Sequence, residues 1–194
     1  MRWLKPLVFA LSLLPLVWLG WQASMGSLGA NPVEFLNRFL GDWALRFLLL
    51  ALAVTPLRQW TGWSALARLR RMIGLFAFFY VVLHLSSYVG LDLFFDWAAL
   101  GKDIVKRTYI TLGMAALLLL VPLAVTSTNG MIRRMGGRRW RQLHRLVYGA
   151  GILAVAHFWM MVKADIREPA LYAVVLAVLL GWRARSFLRR TARA

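Results

Sequence analysis

The chain has 194 residues, of which 61% are hydrophobic, 13% aromatic and only 16% charged, whereas soluble domains average roughly 45–50% apolar and about 25% charged. The net charge of +17, from 24 Lys+Arg against 7 Asp+Glu, would alone suggest a nucleic-acid partner, but so apolar a chain lacks the solvated basic face such a reader needs. There is no cysteine, which excludes disulfides, thiolate metal sites, iron–sulfur clusters and thiol catalysis, and leaves an integral membrane protein with one strongly basic side.

A bilayer core of ~30 Å requires about 20 mostly apolar residues per crossing helix. Six segments satisfy this in chain order: Leu7–Trp21, Phe39–Leu57, Met72–Gly90, Tyr109–Thr126, Leu143–Val162 and Ala170–Phe187. Connections are short and no internal repeat or low-complexity tract is evident. The expected architecture is all-α, a single six-helix transmembrane bundle over residues 1–194 with no separate soluble domain. Arg2 and Lys5 before the first apolar run also resemble a signal peptide, with Ala23-Ser24 as a cleavage region. The run continues through Trp18 and Trp21, and cleavage would remove a span, so a retained first helix is the expectation.

Charge placement sets the expected orientation. With the N-terminus inside, the inner segments carry Arg2 and Lys5, then Arg58, Arg68, Arg70 and Arg71. They also carry Arg133, Arg134, Arg138, Arg139, Arg141 and Arg145, then Arg183, Arg185, Arg189, Arg190 and Arg193, and no acid. The outer segments carry Arg38, Lys102, Lys106, Arg107, Lys163 and Arg167 together with every acid: Glu34, Asp42, Asp92, Asp96, Asp103, Asp165 and Glu168. Arg46 lies inside the second span. Lys and Arg in short loops remain cytoplasmic, so both termini are predicted there, and the basic loops read first as topology signals that touch anionic lipid.

The three histidines, His84, His144 and His157, all lie in or at the edge of predicted spans. An ionisable side chain in a span is costly and marks function by default. With no cysteine and no acid deep in a span, imidazole ligation of haem iron fits these residues, and two neutral histidines on facing helices can grip one iron from both sides. His84 lies ~18 Å along its span and His157 ~21 Å along its own, so the two are matched in depth in the outer half. His144 lies ~20 Å below His157 and marks a second, inner position. On an ideal helix His144 and His157 stand about 140° apart, and Gly149 and Gly151 between them would permit a kink or π-bulge that re-aims one ring. Arg70, fourteen residues before His84 and on nearly its face, is a candidate to hold a propionate. Arg46 could reach an outer propionate, although an ion pair with Asp42 one turn earlier is the simpler account. Aromatics including Phe76, Phe78, Phe79, Tyr80, Tyr88, Tyr148, Phe158 and Trp159 could pack on a porphyrin, but lipid contact, interface anchoring or helix packing is the simpler account of any single one.

At these residues a resemblance becomes specific. Thr55-Pro56-Leu57-Arg58, Leu69-Arg70-Arg71-Met72-Ile73-Gly74 leading to His84, Trp140-Arg141-Gln142-Leu143-His144-Arg145-Leu146-Val147-Tyr148, and His157-Phe158-Trp159 continuing to Lys163-Ala164-Asp165 resemble the MsrQ (YedZ) family. Its members are haem-binding membrane subunits of the bacterial protein-methionine-sulfoxide reductase system, in the ferric-reductase-like transmembrane superfamily. The resemblance covers essentially the whole chain. It implies an inner-membrane b-type cytochrome with one or two haems b and an associated FMN, and it matches His84, His144 and His157 to the family's haem-linked histidines. It further implies electron transfer from the quinone pool or a cytosolic flavin reductase to MsrP, a periplasmic molybdopterin enzyme that repairs oxidised proteins. The wider superfamily uses two haems and four histidines, and this chain has three. Two other readings remain open from the residues: a ferric or other metal-ion reductase or quinol-linked cytochrome with a different acceptor, and a non-redox transporter using histidine in a proton or metal path.

Overall fold

A computed structural model describes residues 3–162 and 164–191, and among these there is no β-strand. Of the loop cations counted above, Arg2, Lys163 and Arg193 lie outside the described residues. The chain forms α1 (Leu4–Ser24), α2 (Pro32–Thr61), α3 (Leu66–Ser87) with a five-residue π-helical turn (Tyr88–Asp92), α4 (Trp97–Lys106) and α5 (Thr108–Val125). It continues through α6 (Asn129–Met135), α7 (Gly137–Leu143), α8 (Leu146–Met161) and α9 (Arg167–Thr191).

Local chemistry sets these boundaries. Asn31 caps α2 by accepting from the Glu34 N–H, with Pro32 at the first helical position, where its missing donor costs nothing. Gly62 closes the same helix at φ +71°, a left-handed conformation that a Cβ would disfavour. Asp96 caps α4 through the Ala99 N–H and Thr128 caps α6 through the Met131 N–H. Phe94 and Phe95 take φ of +46° and +63° as the chain turns from the π-helical segment into α4, and the Phe95 ring lies over Gly90.

Among the described residues five helices are long and apolar enough to cross a membrane: α1, α2, α3 with its π-helical extension, α5 and α9. The expected span at Leu143–Val162 is shorter in the structure, because the chain turns at His144-Arg145 and α8 begins only at Leu146. Its 16 residues extend ~24 Å at 1.5 Å per residue. The short helices α4, α6 and α7 occupy connections that the hydropathy pattern reads as loops, since none contains a buried residue.

Packing divides the bundle into two hairpin-like pairs. Helix α2 lies along α3 and α5 along α8 over most of their lengths, while the pairs touch each other sparsely. Leu40, Ala44, Phe47 and Leu48 of α2 interlock with Phe76, Ala77 and Tyr80 of α3. A second face of α2, with Leu45, Leu49 and Leu52, meets Val155 of α8 and Leu176 and Leu179 of α9. Helix α1 leans on this frame through Phe9 against Phe76 and through the buried Tyr80 hydroxyl, which donates to the Ser12 carbonyl at 2.8 Å. Apolar side chains that elsewhere would be a liability face outward, among them Leu118, Leu171, Val174 and Val178, as expected of surfaces solvated by acyl chains.

Candidate functional site

His84 and His157 meet between the two helix pairs, their ring centroids 6.3 Å apart and their planes at 71°. Each ring is anchored to the partner helix of its own pair. His84 Nδ1–H donates to the Asn37 carbonyl on α2 at 2.9 Å, and His157 Nδ1–H donates to the Tyr109 carbonyl on α5 at 2.6 Å. A carbonyl accepts only, so both rings are fixed in the tautomer whose Nε2 carries a lone pair. Neither Nε2 has a hydrogen-bond partner among the described residues.

This geometry suits a metal held between two imidazoles. A metal–imidazole bond measures about 2.0–2.1 Å, and adding ~1 Å from nitrogen to ring centre on each side separates the centres of two imidazoles that share one metal by about 6 Å. No group of three or more His, Cys, Asp or Glu that would cage a free ion occurs among the described residues. Two nitrogens alone under-coordinate a bare divalent cation, whereas they complete an iron whose other ligands come from a macrocycle.

Polar chains lead from both rings toward the end of the bundle that carries the acids. Asn37 Oδ1 accepts from Ser87 Oγ at 2.5 Å, and Asn37 Nδ2 donates to Asp92 at 2.6 Å. On the other side the Tyr109 hydroxyl accepts from Arg107, which is paired with Asp103 at 3.1 Å. Tyr88 donates to that same Asp103 and so ties the π-helical turn to α4. Sequence context does not mark Asn37, Ser87 or Tyr109, since the contacts Asn37–His84, Ser87–Asn37 and Tyr109–His157 join residues 47 to 50 positions apart.

His144 stands apart at the arginine-rich end. It occupies the turn between α7 and α8, with its ring 3.8 Å from the Trp140 ring centroid. Thr126 Oγ1 donates to the Pro122 carbonyl, so the 3.2 Å contact between that oxygen and His144 Nε2 has the imidazole as donor. Its Nε2 is thus engaged where those of His84 and His157 are not. The expected kink or π-bulge near Gly149 and Gly151 does not form, because α8 runs unbroken from Leu146 and the turn at His144-Arg145 already frees His144 from its phase. Gly149 and Gly151 instead admit Leu119 and Leu176 side chains against α8, and the π-helical turn lies at Tyr88–Asp92.

The two candidate arginines are placed differently from each other. Arg70 lies at the same end as His144, 3.5 Å from Thr55 Oγ1. Arg46 donates from Nε to the Tyr172 hydroxyl on α9 at 2.9 Å and lies over the Trp43 ring. Among the described residues no ion pair joins it to Asp42, so the simpler account of Arg46 gives way to a cross-helix hydrogen bond. Arg183, by sequence one of the inner-loop cations, donates to the Tyr148 hydroxyl at 3.0 Å and to the Leu52 carbonyl at 2.7 Å. Phe76 and Tyr80 pack on Phe47, and Phe158 packs on Tyr172, so these aromatics serve the helix interfaces.

Comparison with known proteins agrees with this architecture. Residues 40–155, which contain His84 and His144 and end two residues before His157, match the family described as ferric reductase like transmembrane component. A protein of Rhodospirillum rubrum named protein-methionine-sulfoxide reductase heme-binding subunit MsrQ is 62% identical over 183 residues, covering 94% of this chain and 88% of its own. Proteins of the same name from Xanthomonas oryzae pv. oryzae (55% identical, 93% of this chain and 85% of theirs) and Caulobacter vibrioides (54%, 91% and 84%) are similar over nearly the whole length. With five long apolar helices, a family match over most of the bundle and this degree of identity, the chain is a multi-pass membrane protein that belongs to the MsrQ family.

Proposed function

We propose that this chain is a b-type cytochrome subunit that carries electrons across the bacterial inner membrane to a periplasmic methionine sulfoxide reductase. The observation that carries the reading is the facing His84–His157 pair, 6.3 Å between centroids, with both Nδ1 atoms committed to carbonyls. A haem bound there supplies reversible one-electron transfer without substrate chemistry of its own. His84 and His157 would hold its iron, the carbonyls of Asn37 and Tyr109 fix the tautomer and orientation of both rings, and the apolar bundle would exclude water. Histidines held neutral by carbonyl acceptors suit electron transfer, because they neither take up nor release protons as the charge of the site changes.

The two ends divide the remaining work. Acid-bearing loops, periplasmic in this reading, present Asp92, Asp103 and Arg107 close to the histidine pair, where a molybdopterin partner such as MsrP would dock. The arginine-rich end is cytoplasmic, α8 is the sixth and shortest crossing helix, and both termini lie inside. Electrons arrive at that end from the quinone pool or a cytosolic flavin reductase, and its cations suit the phosphate of an associated FMN. His144 is the candidate ligand of a second haem there, a role that means releasing the Thr126 hydroxyl, with Arg70 available for a propionate. Arg46, already bonded to Tyr172, is the candidate at the outer site.

The test is a reduced-minus-oxidised spectrum of the purified protein with haem quantitation, followed by reoxidation on adding the periplasmic reductase and methionine sulfoxide. A low-spin b-type spectrum reoxidised by that pair supports the proposal. Reoxidation by ferric chelates alone would favour a metal-ion reductase, and a colourless preparation would favour a transporter.

A further inference from the structure

The two imidazoles are held by one local arrangement used twice. On α2 the Asn37 carbonyl accepts from His84, and one turn later stands Gly41, where a Cβ would lie 3.3 Å from His84 Nδ1 and Cε1. On α5 the Tyr109 carbonyl accepts from His157, and one turn later stands Gly113, where a Cβ would lie 3.0 Å from His157 Nδ1 and 3.2 Å from Cε1. The segments read Asn37-Arg38-Phe39-Leu40-Gly41 and Tyr109-Ile110-Thr111-Leu112-Gly113. In an α-helix the carbonyl of one residue points at the N–H of the fourth residue after it. A ring that reaches such a carbonyl from a neighbouring helix therefore lies across the fourth residue's Cα, where any Cβ would be closer than the ~3.5–4.0 Å optimum for carbon contacts.

The remaining glycines behave otherwise. Of the fifteen in the chain, Gly41 and Gly113 are the two whose added Cβ would meet an imidazole. Gly149 and Gly151 would meet the ends of leucine side chains, and Gly20, Gly101 and Gly181 would meet nothing. The Asn37 side chain, gripped by Ser87 and Asp92, also locks its stretch of α2 to the π-helical turn that follows His84.

We propose that Gly41 and Gly113 are positioning residues for the histidine pair: each lets a ring lie flush on its helix and reach the carbonyl one turn earlier, and so sets the orientation of the two axial imidazoles. This rests on the reading of His84 and His157 as haem ligands. The mutual orientation of two axial rings and the hydrogen bond at Nδ1 both tune a bound iron, so the glycines leave a signature that a merely structural role would not.

The experiment compares full-length Gly113→Ala, Gly41→Ala and Gly149→Ala with the parent protein, each purified with its native haem. Haem per protein and the highest g-value of the oxidised low-spin EPR signal are measured. Gly113→Ala is expected to shift that g-value and lower haem retention several-fold, Gly41→Ala to shift it less because its clash is milder, and Gly149→Ala to match the parent. Parental g-values and haem ratios in both Gly113→Ala and Gly41→Ala would overturn the proposal, as would an equal shift in Gly149→Ala. If Gly113→Ala does not accumulate, Gly41→Ala decides alone by the same readouts. His84→Ala and His157→Ala run beside them: if these keep the parental spectrum, the ligand reading itself fails, whatever the glycine variants show.

Discussion

The His84 imidazole, on α3, stands 6.3 Å from the His157 imidazole, on α8, yet among the described residues each is hydrogen-bonded only to the helix partnering its own. The two rings are thus brought together by helix packing and not by a bond between them. Replacing either His84 or His157 by alanine is expected to abolish the low-spin b-type spectrum, because the one iron proposed between them would lose one of its two imidazole nitrogens. An unchanged Soret band of the native protein together with unchanged haem content by pyridine haemochrome, in either variant, would remove the assignment.

His144 makes different contacts and predicts a different outcome. His144→Ala is expected to lower the haem-to-protein ratio while leaving the low-spin spectrum of the remaining haem in place. An unaltered ratio with unaltered electron delivery would make the His144–Thr126 contact a purely structural one.

Tyr80 is fully buried, and its hydroxyl links α3 to the Ser12 carbonyl of α1. Tyr80→Phe keeps the ring packing on Phe47 and removes one buried hydrogen bond, a loss of about 0.5–1.5 kcal/mol. The expected result is a modestly lower thermal midpoint in detergent with haem content unchanged, since the Tyr80 hydroxyl bonds to Ser12 and to neither histidine. A variant as stable as the parent would show that α1 is held by apolar contact alone.

Arg183 spans three helices, from α9 to Tyr148 on α8 and the Leu52 carbonyl on α2. Arg183→Met leaves the two partners without their donor and should destabilise the bundle by about 1–3 kcal/mol. Lysine retains the charge but cannot fork to two acceptors in the same geometry, so Arg183→Lys should recover only part of the loss. Thermal midpoints of the three proteins in one detergent measure this order, and a methionine variant matching the parent would contradict it.

The proposed orientation is checked by fusions. Alkaline phosphatase joined after Ala194 should be inactive and green fluorescent protein there should fluoresce, because both report a cytoplasmic C-terminus. An active phosphatase fusion would invert the bundle.

Much of this architecture is legible in the sequence. The apolar runs located five helices that meet the length and composition of a span, because hydropathy is additive along the chain and needs no partner. The equal depth of His84 and His157 followed from a fixed rise per residue. Phase was less tractable: the turn at His144-Arg145 interrupts the run that hydropathy treats as one helix, and so relocates His144 and shortens α8. Arg46 shows the limit of local rules, since the acid one turn away lost to a tyrosine 126 positions along the chain.

The sequence by itself determined the solvent, the family and the histidines, because composition, motif and residue chemistry do not depend on how helices are arranged. Tertiary structure decided what those histidines touch. Asn37 and Tyr109 hold them through backbone carbonyls, a group every residue has, and Gly41 and Gly113 serve by lacking a side chain. A carbonyl is common to every residue and the chain has fifteen glycines, so only the close approach of α2 to α3 and of α5 to α8 singles these out and gives them a role.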